Sequence, residues 1–290
     1  MVTIRFAIPS KGRLLEPTLK LLEAAGIKPL YTDDRALMLP TKLDWVTLVR
    51  LRAEDIPSVV ESCAADLGIT GLDFVKEYDA DVEVFEDLGF GRARLVVAVP
   101  ESSGYERVED LPDGVRVATK YVNIARKFFE EKGIRARIVR VSGSTEVMPL
   151  LGAADAILDV VSTGTTLAIH KLRPIATVME TSARLIACKK SLQGPKARLV
   201  TSIVELIRSV LEAQKKKLVL MNVPERLLSR VLEVLPAMAG PTVARIERTP
   251  EPMVEVMIVV DEDELPETIL AAKERGARDI VVVPIEKVTR

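Results

Sequence analysis

The chain is poor in the side chains that would build a metal or disulfide framework. Its 290 residues include one histidine and two cysteines, Cys63 and Cys188, which lie far apart in the sequence. A structural zinc site needs four such ligands, so this composition argues strongly against one. We expect both cysteines to stand alone as thiols in a reduced cytoplasmic protein. Any bound metal would be a hard cation held by carboxylates and substrate phosphates.

The chain also lacks a charge excess and any long apolar run. Its 41 basic and 42 acidic side chains leave a net charge of −1, which gives no reason to expect binding to nucleic acid or to a membrane surface. No apolar run reaches the roughly 20 residues that cross a bilayer. The opening segment VTIRFAIPS has the pattern of a strand and not of a signal peptide. We therefore expect a cytoplasmic protein in which local charge binds any anionic ligand.

Aromatic residues make up only 4% of the chain, so aliphatic side chains and alanine must fill its cores. The length predicts two or three domains. Strands such as TIRFAIP alternate with amphipathic helices, which is typical of an α/β fold with a largely parallel sheet. This alternation predicts one lobe from residues 1–90 and 178–212, with a second lobe, 91–177, inserted between them.

The last part of the chain, 213–290, has its own order of elements. Strand patterns at KKLVLMNV, PTVARIER, MVEVMIVV and DIVVVPIEKV are combined with two helical patterns in the order β-α-β-β-α-β. That order is typical of a ferredoxin-like fold. Many such units are ACT-like regulatory domains, so fold analogy predicts a regulatory role here.

One segment, DAILDVVSTGTTL, combines a strand with a run of hydroxyl residues. Ser162, Thr163, Gly164, Thr165 and Thr166 follow the strand directly and precede a helical pattern. Loop amides and hydroxyls at such a position bind phosphate well, and glycine allows close approach of the backbone. Asp155 and Asp159 add acceptors that suit ribose hydroxyls. On chemistry alone, a simple helix cap with two turn-forming acids explains the segment about equally well.

The wider sequence resolves this choice through a resemblance. ADAILDVVSTGTTL resembles the phosphoribosyl pyrophosphate motif of the ATP phosphoribosyltransferase family, which carries out the first step of histidine biosynthesis. SKGRL, VRLRAEDIP, ADLGITG, GFGRARL, VSGSTEV and VVVPIEK are similar to that family's other blocks, in the same order. The resemblance implies a two-lobed, periplasmic-binding-protein-like catalytic core. The C-terminal ferredoxin-like domain would make the chain a long-form member that is inhibited by histidine.

The resemblance also implies a reaction and its residues. The adenine N1 of ATP would attack phosphoribosyl pyrophosphate, and pyrophosphate would leave with Mg²⁺ bound. The transition state resembles an oxocarbenium ion, so the site needs positioning and charge compensation without a nucleophile of its own. Residues 162–166 and Asp155 would bind phosphoribosyl pyrophosphate, and Asp159 with Glu146 would face the ribose hydroxyls. For Glu146, an ordinary first-turn helix acid is an equally good interpretation without the resemblance.

Residues of the first lobe and of the lobe crossing would bind ATP. Arg50 and Arg52 share one face of the strand WVTLVRL if it continues past them. In the C-terminal domain, MAGPTVARI resembles a histidine-binding loop, although its Gly-Pro is also typical of an ordinary turn. The ATP set consists of Lys11, Arg13, Arg50, Arg52, Asp66, Thr70, Gly71 and Arg94, and the histidine set of Met238, Gly240 and Thr242.

Several residues and one other class of function complete the analysis. We assign no role to His170, and we expect Tyr121 and Arg126 to lie on the surface. The resemblance implies a homo-oligomer, from dimer to hexamer. The alternative is a two-lobed binding or effector-sensing protein without catalysis, but that alternative does not explain Asp159 followed by five phosphate-binding residues. Dependence on a separate regulatory chain is disfavoured by the C-terminal domain.

Overall fold

The computed structural model describes residues 2–31, 33, 35–236 and 240–289. They fall into two compact units, 1–202 and 203–290. The first unit contains two sheets, and the second contains one. Within the described ranges, no helix combines the length and the apolar character that crossing a membrane requires.

The first sheet is built from two separate stretches of chain. Its strands are β1 (Ile4–Pro9), β2 (Met38–Pro40), β3 (Val46–Leu51), β4 (Leu67–Gly71), β5 (Glu83–Asp87) and β11 (Ala183–Ala187). They lie in the order β2-β3-β1-β4-β11-β5, with β1, β3 and β4 parallel and β11 antiparallel to its neighbours. Helices α1 (Leu15–Ala24), α2 (Ile56–Glu61) and α3 (Leu72–Glu77) accompany these strands, and together they form lobe I.

The second sheet forms from the intervening chain. Its strands are β6 (Ala93–Pro100), β7 (Arg116–Thr119), β8 (Arg137–Arg140), β9 (Ala156–Val161) and β10 (Leu172–Thr181). They lie in the order β10-β6-β9-β7-β8, in which β7, β8 and β9 are parallel. Helix α4 (Val122–Glu131) follows β7, and α5 (Thr165–Ile169) follows β9, completing lobe II. Leu95, Val97 and Val99 of β6 are fully buried, which explains the long aliphatic run at this strand.

The chain crosses between the lobes twice, as the sequence predicts, but the second crossing comes later than predicted. β10 pairs with β6 along its whole length to Thr181, and β11 then joins lobe I. The predicted boundary at residue 177 therefore falls inside β10. The segment RPIATVMETSARLIACK has the pattern of two strands, but that pattern does not show which sheet each strand joins. The pairing of β10 with β6 shows that the first of them belongs to lobe II.

The C-terminal unit has one antiparallel sheet. After helix α6 (Ala197–Gln214), which crosses the division between the units, come β12 (Lys216–Pro224), α7 (Leu228–Leu232), β13 (Thr242–Ile246), β14 (Met253–Asp261), α8 (Leu265–Glu274) and β15 (Arg278–Pro284). The strand order is β13-β14-β12-β15. This arrangement confirms the predicted ferredoxin-like fold.

Cys63 and Cys188 form a disulfide, so the expectation of two free thiols is wrong. Their Cα atoms lie 5.3 Å apart although 125 residues separate them in sequence. The reason is the return of β11 alongside β4, which places Cys188 where its N–H donates to the backbone oxygen of Asp66 at 3.0 Å. The bond joins the two stretches of chain that build lobe I, with lobe II between them.

Candidate active site

The hydroxyl-rich loop lies at the carboxyl end of β9 in lobe II. The side chains of Ser162, Thr163, Thr165 and Thr166 are exposed, and the hydroxyls of Thr163 and Thr165 lie 3.1 Å apart. Gly164 has a φ of 81°, a left-handed conformation that glycine adopts without strain. α5 has only five residues, so hydroxyls and loop amides, more than a helix dipole, provide the donors for an anion.

A cavity of about 110 Å³ lies along this loop, and two of the predicted acids, Glu146 and Asp159, line it. It is lined by Glu146, Asp159, Ser162, Thr163, Gly164 and Thr166. The carboxylate of Asp159 accepts hydrogen bonds from the N–H of Val160, at 2.7 Å, and from the hydroxyl of Thr145. Burial raises the pKa of Asp159, and these bonds partly offset the rise. Thr145 is buried, a supporting role that the sequence did not reveal.

Asp155 does not join this cavity, contrary to the sequence prediction. It precedes β9, whose six residues separate it from the loop by about 20 Å. Its carboxylate pairs with Arg116 through Nη2 at 2.7 Å and Nε at 3.1 Å, and it accepts the backbone N–H of Arg116 at 2.9 Å. These interactions lower the pKa of Asp155. Asp155 therefore anchors β9 to β7.

A second cavity, of about 360 Å³, adjoins the loop at Ser162 and reaches both chain crossings. Arg94, predicted from sequence, lies here opposite Glu180 of β10. Two arginines that the sequence analysis missed, Arg92 and Arg184, also line it. Arg184 pairs with Asp87 at 3.3 Å, while its buried Nε has no hydrogen-bond partner within the described part of the chain. The only sequence signal was their position beside the crossings, in GFGRAR and TSAR.

A third cavity, of about 490 Å³, lies between α3 of lobe I and the carboxyl end of β7 in lobe II. Arg52 lines it, exposed and paired with Glu54 at 3.4 Å. Lys120 and Arg140, both from lobe II, line the same space. The Nζ of Lys120 lies 5.1 Å from the ring centre of Phe74 and 5.0 Å from that of Tyr121. Cations from both lobes thus face one cavity.

The structure separates Arg50 from Arg52. β3 ends at Leu51, so Arg52 lies beyond the strand and does not share the face of Arg50. Arg50 is 8% exposed, and its Nη1 donates to the backbone oxygen of Asp33 at 2.8 Å. Arg50 therefore supports the segment before β2, and its contact with ATP stays a prediction.

Asp66 also lies away from the cleft, at the amino end of β4. Its buried carboxylate accepts hydrogen bonds from Ser191 Oγ at 2.6 Å, Lys196 Nζ at 2.8 Å and the N–H of Arg5 at 2.9 Å. The ATP contact predicted for Asp66 does not agree with this position, because β4 runs from Leu67 towards Gly71 and Asp66 precedes it.

The carboxyl end of β4 carries Thr70 and Gly71, which were predicted to bind ATP and which make contacts within the protein here. Thr70 is fully buried, and its hydroxyl donates to the backbone oxygen of Ala53 at 2.6 Å. A Cβ at Gly71 would lie 2.1 Å from Oδ1 of Asp73. Glycine at this position therefore makes room for the carboxylate of Asp73.

Lys11 and Arg13 follow β1 at the same edge of the sheet, since Pro9 pairs with Leu51. Both side chains are exposed. Burial raises the pKa of Tyr121, the charges of Asp73 and Asp159 raise it further, and the charge of Arg13 partly offsets the rise. Arg13 of lobe I therefore acts electrostatically on a buried residue of lobe II.

Tyr121 is 1% exposed, so the expectation of a surface residue is wrong. Its hydroxyl donates to Oδ2 of Asp73 at 2.6 Å, and its ring packs against Phe74 with centres 5.7 Å apart. Arg126 is exposed as expected. No motif in the sequence indicated this contact between Tyr121 and the residues of α3.

The predicted histidine loop lies in the C-terminal unit. Gly240 precedes β13, and Thr242 is the exposed first residue of that strand. Met238 lies outside the described residues. Across the part of the chain that the structure describes, no three His, Cys, Asp or Glu side chains cluster closely enough to hold a metal ion by themselves.

Comparison with known proteins gives this geometry a context. A family model described as "ATP phosphoribosyltransferase" matches residues 52–209, and a model for the "HisG, C-terminal domain" matches residues 213–287. The chain is similar to an ATP phosphoribosyltransferase of Ignicoccus hospitalis, with 53% identity over 98% of this chain and 99% of the relative. It is likewise similar to one from Pyrobaculum aerophilum, with 54% identity over 97% of this chain and 98% of the relative.

Solved structures show the same architecture. A chain of the ATP phosphoribosyl transferase (HisG:HisZ) complex from Thermotoga maritima has a TM-score of 0.63 and 26% identity. The match covers 71% of this chain and 96% of that chain. A protein named Tv2483, bound to L-arginine, has a TM-score of 0.51 at 11% identity, covering 73% of this chain and 86% of that one. That second likeness concerns the two-lobed fold alone.

Proposed function

Since this chain belongs to the ATP phosphoribosyltransferase family and is a pentosyltransferase of the first step of histidine biosynthesis, we propose that lobe II binds phosphoribosyl pyrophosphate and that lobe I binds ATP. The observation that carries this proposal is the cavity along residues 162–166. It gathers hydroxyl donors for a phosphate beside Glu146 and Asp159, two acceptors for ribose hydroxyls. A sugar phosphate carries both kinds of group.

The proposed chemistry needs charge compensation more than it needs a nucleophile. A bond forms between the adenine N1 and the ribose C1 as the bond from C1 to the pyrophosphate oxygen breaks. Positive charge develops on the ribose during this exchange. The carboxylates of Asp159 and Glu146 stabilise that charge and hold the ribose hydroxyls, because a half-buried site strengthens both interactions.

The cations at the cleft suit the polyphosphate groups of the two substrates. Arg92, Arg94 and Arg184 face two carboxylates in the cavity beside Ser162, which leaves an excess of positive charge next to the loop. Lys11, Arg13 and Arg52 lie at the carboxyl edge of lobe I and suit the triphosphate of ATP. Arginine is favoured for such contacts because its fork of N–H groups matches phosphate oxygens.

Mg²⁺ fits this site as a companion of the pyrophosphate. Within the described residues no cluster would hold the ion alone, and Mg²⁺ typically binds through one or two carboxylates plus substrate phosphates. Asp159 and Glu146 are the oxygen donors of the loop cavity that could hold it. When bound, the ion would neutralise charge on the leaving pyrophosphate.

Regulation by histidine is the finer part of the proposal. The match of residues 213–287 to the C-terminal domain model supports a regulatory unit within this chain. Gly240, Thr242 and Met238, the last of which lies outside the described residues, remain the proposed contacts for histidine. Inhibition from a separate domain requires histidine to favour a less active arrangement. We propose a cytoplasmic homo-oligomer, from dimer to hexamer, as the assembly that makes this possible.

An absorbance assay for phosphoribosyl-ATP tests the whole proposal. Purified protein is mixed with ATP, phosphoribosyl pyrophosphate and Mg²⁺, with pyrophosphatase to pull the reaction forward, in the presence and absence of histidine. Product that decreases with histidine supports both sites. An amount of product that is the same with and without histidine would contradict the regulatory proposal. No product, together with tight binding of one small molecule, would favour a binding protein without catalysis.

A further inference from the structure

We infer that helix α3 holds the two lobes at a fixed separation, and that Asp73 and Glu77 on this helix are positioning residues for phosphoribosyl transfer. The inference rests on the proposed function, because the separation governs catalysis only if each lobe binds one substrate. It concerns residues that the sequence motifs do not single out, although Glu77 lines the cavity that Arg52 and Lys120 also line.

Asp73 belongs to lobe I, yet both of its carboxylate oxygens are bonded to lobe II. Tyr121 Oη donates to Oδ2 at 2.6 Å, and Thr181 Oγ1 donates to Oδ1 at 2.7 Å. The N–H of Asp73 donates to the same threonine oxygen at 3.0 Å. All three residues are at most 4% exposed. A carboxylate buried this deeply requires these bonds, because a buried acceptor without partners is strongly unfavourable.

Glu77 makes a second link one helical turn further on, on the same face of α3. Its carboxylate accepts the N–H groups of Asn123 and Ile124, each at 3.0 Å. The Nδ2 of Asn123 donates back to the backbone oxygen of Glu77 at 2.9 Å. First-turn amides have no partner within their own helix, and the residue before α4 supplies no side-chain cap. An acid from lobe I thus caps a ten-residue helix of lobe II.

The lobe II partners of Asp73 also line the cavities of the proposed site. Tyr121 lines the cavity with Arg52 and Lys120, and Thr181 lines the cavity with Ser162. Proteins that share the two-lobed fold can close on a ligand by hinge motion. Here, separating the lobes would break both sets of bonds from α3 at once. The lobes therefore meet the substrates at a preset distance, which matters because a 1 Å misplacement of reacting groups can slow a reaction about 100-fold.

The first test compares Asp73→Asn, Tyr121→Phe and the double variant. We expect each single variant to lower kcat about tenfold or more, since the reacting atoms are less well aligned. Calorimetric Kd values for each substrate alone should stay within about threefold of wild type, because each substrate contacts mainly one lobe. The double variant should lose little more than either single variant, as expected of one shared bond. An unchanged kcat, or equal losses in kcat and in single-substrate binding, would overturn the inference.

The second test does not depend on catalysis. Hydrogen exchange is measured at the amides of Asn123 and Ile124 in wild type, in Glu77→Ala and in the control Glu130→Ala, an exposed acid of the same helix. We expect protection in wild type and in the control, and at least about tenfold faster exchange in Glu77→Ala. Unprotected amides in wild type would contradict the link whether or not the protein forms phosphoribosyl-ATP. A protein with protected amides but no product would instead contradict the proposed function.

Discussion

The amino and carboxyl edges of the two sheets in residues 1–202 both carry aspartates, but these differ in whether a cation neutralises them. At the amino edge, Asp66 and Asp155 are satisfied by Lys196 and Arg116, and the disulfide lies beside Asp66. At the carboxyl edge, Asp159 has a raised pKa and the loop hydroxyls are exposed. In parallel α/β sheets, ligands bind outside the carboxyl ends of the strands. The comparison teaches that the acids of the amino edge are used for stability, and it supports the proposal that the carboxyl edge provides the chemistry.

Removing the disulfide should have the largest effect, and only on stability. The double variant Cys63→Ala/Cys188→Ala removes a cross-link between residues 125 positions apart in sequence. We expect the free energy of unfolding to decrease by about 2–5 kcal/mol. A melting curve should shift down by about 5–15 °C, with kcat and KM at 25 °C unchanged. Reductant should lower the wild-type melting temperature in the same direction. Two alkylatable thiols in the native protein would show that this cross-link is absent in solution.

The two aspartates of β9 provide the sharpest contrast. Asp159→Asn should lower kcat/KM for phosphoribosyl pyrophosphate about 10- to 100-fold, because charge-assisted hydrogen bonds contribute about 1.5–3 kcal/mol. Asp155→Asn should leave kcat/KM unchanged and lower the melting temperature instead, since it weakens the pair with Arg116. The measurement is initial-rate kinetics beside a thermal melt of each variant. Equal losses of kcat/KM in both variants would contradict the assignment of catalysis to Asp159 and of stability to Asp155.

Thr165→Val should have a smaller effect confined to one substrate. It removes a hydroxyl from the loop and keeps the shape of the side chain, so we expect the KM for phosphoribosyl pyrophosphate to rise about 3- to 10-fold. The KM for ATP and the melting temperature should stay the same. Thr201→Val, at an exposed position of α6, is the matched control. No change in KM would mean that this hydroxyl does not contact the phosphate.

The smallest expected effect is the pH dependence of the two aspartates. Burial raises the pKa of Asp159, so its ionised form is disfavoured in the folded state, and that penalty is complete above the raised pKa. As pH falls through this value, the carboxylate is lost and kcat/KM for phosphoribosyl pyrophosphate should decrease. Asp155 has a lowered pKa, so its stabilisation is complete above the ordinary pKa of Asp and is lost as pH falls through the lowered value. Activity should therefore fall before stability on acidification, and the reverse order would contradict both assignments.

The sequence predicted the fold well wherever a pattern is local. The alternation of strands and helices, the final β-α-β-β-α-β order and the loop after β9 all depend on neighbouring residues. Asp155, Asp66 and the cysteines were misjudged because their partners, Arg116, Lys196 and each other, are distant in sequence. The prediction that Tyr121 lies on the surface was wrong for the same reason, because its hydroxyl donates to Asp73 of the other lobe. Counting residues along the strand would have separated Asp155 from the loop at 162–166, because the six residues of β9 span about 20 Å.

The direct test of this account is a crystal structure with phosphoribosyl pyrophosphate and a non-reacting ATP analogue bound together. We predict the 5-phosphate within about 3 Å of donors in residues 162–166, with the ribose hydroxyls at Asp159 and Glu146. We also predict the nucleotide against the carboxyl edge of lobe I. A 5-phosphate bound elsewhere, with the loop free of ligand, would contradict the central claim that the carboxyl edge of lobe II is the sugar-phosphate site.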